Sequence, residues 1–131
     1  MKIDFKRGIP GVEHLKEFDL NDIEGNDKFK VLKALKEEIS FLVISPFDCC
    51  ESYEINLDQE TVRELKIEEP SDVLMLNIVT LGGSIETSTV NLKAPLVINV
   101  KNNLGKQFIM QNDTYSTKHP LVRREENVGN Y

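Results

Sequence analysis

A chain of 131 residues with 22 acidic and 16 basic side chains carries a net charge of −6, which disfavours non-specific binding to nucleic acid or to an anionic membrane. The length fits a single domain whose core needs no metal or disulfide staple. No run approaches the ~20 apolar residues of a membrane span. The start, Met1-Lys2-Ile3-Asp4, lacks the apolar stretch of a signal peptide, so a cytosolic protein is expected.

In chain order, residues 1–6 read as a short strand with Ile3 and Phe5 on one face. Gly8-Ile9-Pro10-Gly11 is a turn with two glycines free to take positive φ. One helical turn is expected over 12–15, then a strand over 16–20 with Phe18 and Leu20 inward. Residues 21–27 have the composition of a loop. Residues 28–38 fit two structures: Phe29, Leu32 and Leu35 suit an amphipathic helix, and Phe29 with Val31 a short strand. The apolar run 39–44 is a central strand ended by Pro46. Cys49 and Cys50 are adjacent; disulfide geometry strains such a pair, so both read as reduced thiols. Residues 52–57 alternate as a strand with Tyr53, Ile55 and Leu57 inward. Asp58 then caps a short helix over 59–65, with Val62 and Leu65 toward the core and Pro70 closing it. Residues 73–80 form a buried strand interrupted only by Asn77.

Residues 89–100 hold the longest period-two pattern. Val90, Leu92, Ala94, Leu96, Ile98 and Val100 occupy the even positions, and mostly polar residues the odd ones. That is a strand burying one face. Pro95 falls on the odd face, where a missing N–H marks an edge, a bulge or a bend. Asn102-Asn103-Leu104-Gly105 then turns the chain, with Gly105 suited to the left-handed position, and 106–110 return as a hairpin partner. Residues 122–131 are polar and patternless and are expected to be a frayed tail after a single domain over 1–121. About eight short strands and one short helix make an all-β, mainly antiparallel, small barrel-like domain.

Chemistry is sparse. His14 and His119 lie far apart without thiolate or carboxylate spacing around them, so neither a metal site nor a cofactor is expected. No serine sits in a Gly-x-Ser-x-Gly elbow and Gly82-Gly83 lacks the lysine and spacing of a phosphate loop. The basic runs, Lys28 to Lys36 and Arg123-Arg124, are each followed at once by glutamates and carry no aromatics interleaved in the manner of a base-stacking platform, so direct nucleic-acid binding is not expected. Carboxylates gather at Glu51, Glu54, Asp58, Glu60, Glu64, Glu68 and Glu69. They read as an acidic surface; the alternative is a small acidic hydrolase using paired carboxylates.

Four stretches together resemble the flagellar assembly factor FliW family. They are Gly8-Ile9-Pro10-Gly11-Val12-Glu13-His14-Leu15, the Pro46-Phe47 to Tyr53-Glu54-Ile55 segment, residues 72–80 joined to 89–99, and Gly105-Lys106-Gln107 with Tyr115-Ser116-Thr117-Lys118-His119-Pro120-Leu121. Val12 stands where the family tends to have an aromatic, and Lys118 where it often has arginine. The resemblance favours a strand for the ambiguous stretch after Phe29. It implies a monomeric, non-enzymatic cytoplasmic regulator and flagellin chaperone. Such a protein binds flagellin and, alternately, CsrA, the repressor of flagellin translation, and so relieves repression. An apolar groove or an open sheet edge would receive flagellin's terminal segments. Candidate contact residues are the outward positions Asn91, Lys93 and Asn99, with Tyr115, Ser116 and His119. The acidic cluster would oppose RNA phosphates beside CsrA.

Overall fold

The structure, a computed structural model, describes residues 1–122. Its strands are β1 (Lys2–Asp4), β2 (Glu17–Ile23), β3 (Asn26–Ala34), β4 (Ser40–Ile44), β5 (Val73–Thr80), β6 (Thr89–Val90), β7 (Leu96–Asn99), β8 (Leu104–Gln107) and β9 (His119–Pro120), with one α-helix, α1 (Gln59–Glu64). The sheet order is β4-β3-β2-β1-β8-β7-β5-β6-β9, and an added β4–β5 pairing brings the sheet round on itself. The strands from β4 to β5 thereby form a ring, and β6 and β9 make a spur off β5. The ring is not a regular barrel. β1 and β8 run parallel and meet at one register pair, Asp4↔Leu104, whereas the other neighbours in the ring are antiparallel.

Alternating apolar residues fill the ring: Phe5, Phe18, Leu32, Val43, Leu96 and Ile98 are all fully buried. The Phe5 and Phe18 rings meet edge to face at 5.5 Å, the arrangement that an aromatic quadrupole favours. A second cluster gathers Ile44, Tyr53, Val79, Val90, Leu92 and Met110. A third, Leu65, Val97 and Leu104, lies under α1.

The helix is fixed at both ends. Asp58 accepts the Thr61 N–H at 2.9 Å, satisfying one of the N–H groups that a helix start leaves free. At the other end, Asn99 Nδ2 donates to the Leu65 and Lys66 carbonyls at 2.8 and 3.1 Å. Lys66 holds φ 56°, a left-handed position normally given to glycine. Thr61, not Val62, is the residue fully buried beside Leu65.

Several expectations need correction. Residues 12–15 form successive turns, Val12 N–H to Ile9 O and Leu15 N–H to Val12 O at 2.9 Å, instead of a helical turn. The loop expected over 21–27 is a hairpin turn at Glu24-Gly25, with Gly25 at φ 80° and Ile23 facing Asn26. Asp22 and Asp27 belong to the strands, where Asp22 faces Lys30 just as Asp19 earlier in β2 faces Lys33, and opposite charges across a ladder are compatible with sheet. The stretch after Phe29 is β3, a strand. Residues 52–57 carry no ladder despite their alternation; the Glu54 N–H is taken by the Tyr115 hydroxyl instead of a strand. Residues 89–100 divide into β6 and β7, and Val100 is 43% exposed although it shares the parity of the buried face. Asn103, at φ 60°, takes the left-handed position of the β7–β8 turn. Gly105 lies inside β8, where a Cβ would sit 2.8 Å from Phe5 Cε2 and 3.0 Å from Ile3 Cγ2. All but the first residue of the tail expected over 122–131 falls outside the described residues.

Gly105→Ala should therefore destabilise the protein by about 1–3 kcal/mol, since the packed ring of Phe5 must move to admit one methyl. Urea denaturation with an unchanged m-value checks this.

Candidate protein-binding surface

β7 pairs β5 from Val73↔Asn99 to Leu76↔Leu96, and β6 pairs it from Val79↔Val90. Residues 91–95 must span the gap that Asn77 and Ile78 span on β5, so the chain bulges there. A buried bulge has no ladder, and its backbone groups need other partners. Each finds one. The carbonyl of Asn91 accepts from Asn77 Nδ2 at 2.7 Å, that of Leu92 from the Tyr53 hydroxyl at 2.8 Å, and that of Ala94 from Gln107 Nε2 at 3.0 Å. The Lys93 and Pro95 carbonyls accept the N–H groups of Met110 and Phe108 at 3.0 and 2.9 Å. On the donor side, Asn91 N–H goes to Ile78 O and Leu92 N–H to Ser116 O, both at 3.0 Å. Lys93 and Ala94 N–H both go to Asn91 Oδ1, at 3.1 and 3.0 Å. Pro95 has no N–H to satisfy, which suits its place in the bulge.

The C-terminal stretch of the described chain straps this bulge down. Tyr115 packs against Tyr53 with ring centroids 4.6 Å apart and the ring planes tilted by 44°, and its hydroxyl accepts the Glu54 N–H at 2.9 Å. Ser116 supplies its carbonyl to Leu92, and its Oγ accepts the Lys118 N–H at 2.9 Å. His119 pairs with Val90, and Leu121 N–H reaches Ser88 O at 3.0 Å. Lys93 Nζ binds Asp113 at 2.8 Å and holds that carboxyl below its ordinary value.

The candidate residues thus divide. Asn91, Lys93, Tyr115, Ser116 and His119 are gathered around the bulge and strap, and of these Tyr115 borders a cleft of about 410 Å³ with Glu54, Ile55, Phe108 and Asn112. Asn99 is not with them and does not face outward. It is 1% exposed, and its amide is used on α1 and on the Lys101 N–H. Sequence alternation missed Asn77, Tyr53 and Gln107 as the side chains that complete the bulge. The one available signal was a lone Asn inside an otherwise apolar strand.

Of the expected acidic residues, Asp58, Glu60 and Glu64 lie on α1 and its cap and Glu68 and Glu69 follow it, whereas Glu54 borders the cleft beside Tyr115; several of those on and after the helix are neutralised by ion pairs. Glu64 binds Lys106 Nζ at 2.6 Å and also the Arg7 guanidinium, Glu60 reaches Arg7 at 3.4 Å, and Glu69 reaches Lys101 at 3.9 Å. The hydrogen bond from Lys106 holds the Glu64 carboxyl below its ordinary value, and the bonds of Thr61 do the same for Asp58. Glu51, Glu54 and Glu68 are exposed and make no ion pair among the described residues. Burial, the largest cause, pushes the Cys49 thiol up to about 11, so it stays protonated at neutral pH. Among the described residues no three or more His, Cys, Asp or Glu gather as a metal site, and no helix is long and apolar enough to cross a membrane.

Comparison with known proteins places this architecture. The family model described as FliW protein matches residues 1–121. The chain is similar to the flagellar assembly factor FliW of Clostridioides difficile (strain 630), 51% identical over 124 residues that cover 94% of this chain and 95% of that protein. The factor of the same name from Clostridium novyi (strain NT) is 50% identical over 122 residues, covering 92% of this chain and 85% of that one. Among solved structures, a crystal structure of the flagellar assembly factor FliW superposes with a TM-score of 0.89 at 38% identity, covering 95% of this chain and 87% of that one.

Tyr53→Phe removes the donor to the buried Leu92 carbonyl and should cost about 1–3 kcal/mol. Tyr115→Phe, in a more exposed place, should cost less in the same urea titration. The Tyr53 phenol is pushed up to about 12, mainly by burial, from an ordinary 10.0. Its contribution is complete below the ordinary value and is lost as pH rises through about 12, so Tyr53→Phe should flatten the alkaline limb of the stability profile. Asp58 and Glu64 act in the opposite direction, because their carboxyls are lowered. Their contribution is present above the ordinary carboxylate range and drains as pH falls below it, and Glu64→Gln should flatten that acid limb.

Proposed function

The chain belongs to the FliW family of flagellar assembly factors, and from that premise we propose a monomeric, non-enzymatic cytoplasmic regulator. In this reading it holds flagellin before export and, when free of flagellin, binds the translational repressor CsrA and relieves repression of flagellin synthesis. The match over residues 1–121 carries the reading, since it spans every strand and helix described above.

Two surface features support it physically. Lys93, Ser116 and His119 offer polar groups around a strap whose backbone is already fixed, so a partner would order little on binding there. The acidic surface around α1 supplies field of the sign that opposes RNA. A repressor that holds RNA needs a basic face, and a docked partner carrying unpaired carboxylates repels the phosphates without filling the RNA site. Glu51, Glu54 and Glu68 are the carboxylates assigned that role, because the ion pairs of Glu60, Glu64 and Glu69 spend part of theirs. Asp58 is engaged mainly as the helix cap.

Purified protein should co-elute with flagellin and, separately, with CsrA at micromolar concentration; elution apart from both would overturn the proposal. The triple variant Glu51→Gln, Glu54→Gln, Glu68→Gln should displace RNA from CsrA about threefold to tenfold less well, with CsrA affinity changed by less than about twofold. Displacement that stays unchanged and insensitive to salt would remove the electrostatic part of the account.

A further inference from the structure

Two segments that belong to no ladder border the cleft beside Tyr115. One wall is residues 54–56, and the other runs from Phe108 to Asn112. Burial alternates along both. Tyr53, Ile55 and Leu57 turn in while Glu54 and Asn56 are exposed, and Ile109 is 52% exposed between the more buried Phe108 and Met110. That is the geometry of extended chain. Residues 52–57 thus carry the pattern of a strand, and the described chain supplies no strand to pair with them.

Alternation also says which main-chain groups are left over. Glu54 N–H goes to the Tyr115 hydroxyl, at the cleft. In an extended chain every second N–H points to the same edge, so the N–H and carbonyl of Asn56 share the edge of Glu54 N–H. On the other wall, Phe108 and Met110 N–H turn toward the bulge, to the Pro95 and Lys93 carbonyls. The N–H and carbonyl of Ile109, between them, turn to the opposite edge. Among the described residues, the main-chain groups of Asn56 and Ile109 make no hydrogen bond to other main chain. Both walls are nonetheless fixed. The Tyr115 hydroxyl, which accepts from Glu54, also donates to Ser52 O at 3.4 Å, and the bulge holds the second wall. Two fixed edges with free donors and acceptors are preorganised for strand addition. Ile55, Phe108 and Met110 give the cleft an apolar floor, and Glu54 is the one charged side chain among the described residues that border it.

We propose that this cleft receives an extended segment of flagellin as an added strand, an assignment that rests on the regulator reading above and gives it a site and a binding mode. The segment's main chain bonds Asn56 on one side and Ile109 on the other. One of its apolar side chains faces Ile55 and Phe108, and a lysine or arginine meets Glu54. Main-chain bonds supply the affinity in this mode, and the side-chain contacts the selectivity. Charge assigns the cleft to flagellin and not to the repressor. Glu54 is one of the carboxylates that must stay unpaired to repel RNA while the repressor is bound, and a cation seated on it would cancel that field. A main-chain slot also needs a segment that is not already folded, and a protein held ahead of its assembly offers one.

The test is amide hydrogen exchange on the wild-type protein, alone and with purified flagellin or purified CsrA. The Asn56 and Ile109 amides should slow by about tenfold or more in the flagellin complex and keep their free rate in the CsrA complex. Calorimetric titration of variants gives a second readout. Asn56→Pro, which removes the N–H, should weaken flagellin binding about tenfold, whereas Asn56→Ala, which keeps it, should bind within about twofold of wild type. Glu54→Gln should weaken flagellin binding about threefold and reduce its salt dependence, and CsrA affinity should change by less than about twofold in all three variants. Both substituted side chains are exposed, and thermal melts close to wild type confirm folding. Flagellin bound while Asn56 and Ile109 still exchange freely overturns the slot and leaves the regulator reading intact. Equal losses in Asn56→Ala and Asn56→Pro overturn the main-chain mode. Protection of the two amides by CsrA assigns the cleft to the repressor and overturns the proposal. Wild type that does not bind flagellin overturns it together with the flagellin half of the regulator reading.

Discussion

Five successive carbonyls, from Asn91 to Pro95, are the constraint on which this fold depends. They lie in a bulge where the chain has no strand beside it, and each would cost about 1–3 kcal/mol if left unpaired in a buried place. Their donors come from three separate parts of the chain: Asn77 in β5, Tyr53 before α1, and Gln107, Phe108 and Met110 in and after β8. A local hairpin could have been satisfied by its own partner strand. This bulge cannot form until those parts have come together, so it ties the ring, the segment before α1 and the strap into one cooperative unit.

That dependence explains what could be read in the sequence. The ring strands were legible because alternation there reports a buried and an exposed face: Phe18 and Leu20 in β2, and Leu92, Leu96 and Ile98 along the bulged strand. Asp58 announced α1 through a local bond to Thr61. Residues 52–57 alternate just as well and form no strand, because Tyr53 is buried to reach a distant carbonyl. Parity failed again at Asn99, a polar odd position that alternation put outside. The helix α1 covers that face of β7, and the amide is needed to hold its last carbonyls. Gly105 was legible as a glycine that matters, but it makes room for Phe5 and does not turn the chain.

Of the candidate contact residues, those near the bulge came together because the strap that bears Tyr115, Ser116 and His119 is bonded to the bulge that bears Asn91 and Lys93. Nothing local in either stretch says that they meet. The acidic cluster was visible as composition, yet its effective charge was not, since Arg7, Lys101 and Lys106 approach it from distant strands and turns.

Amide hydrogen exchange tests most directly whether the bulge is a locked part of the core or a loop that lies against it. Locked as described, the amides of residues 91–94, Phe108 and Met110 exchange with the slow class of β5 and β7, close to the rate of global unfolding. Exchange of those amides at the rate of the exposed residues 83–86, while β5 and β7 stay protected, would contradict the account.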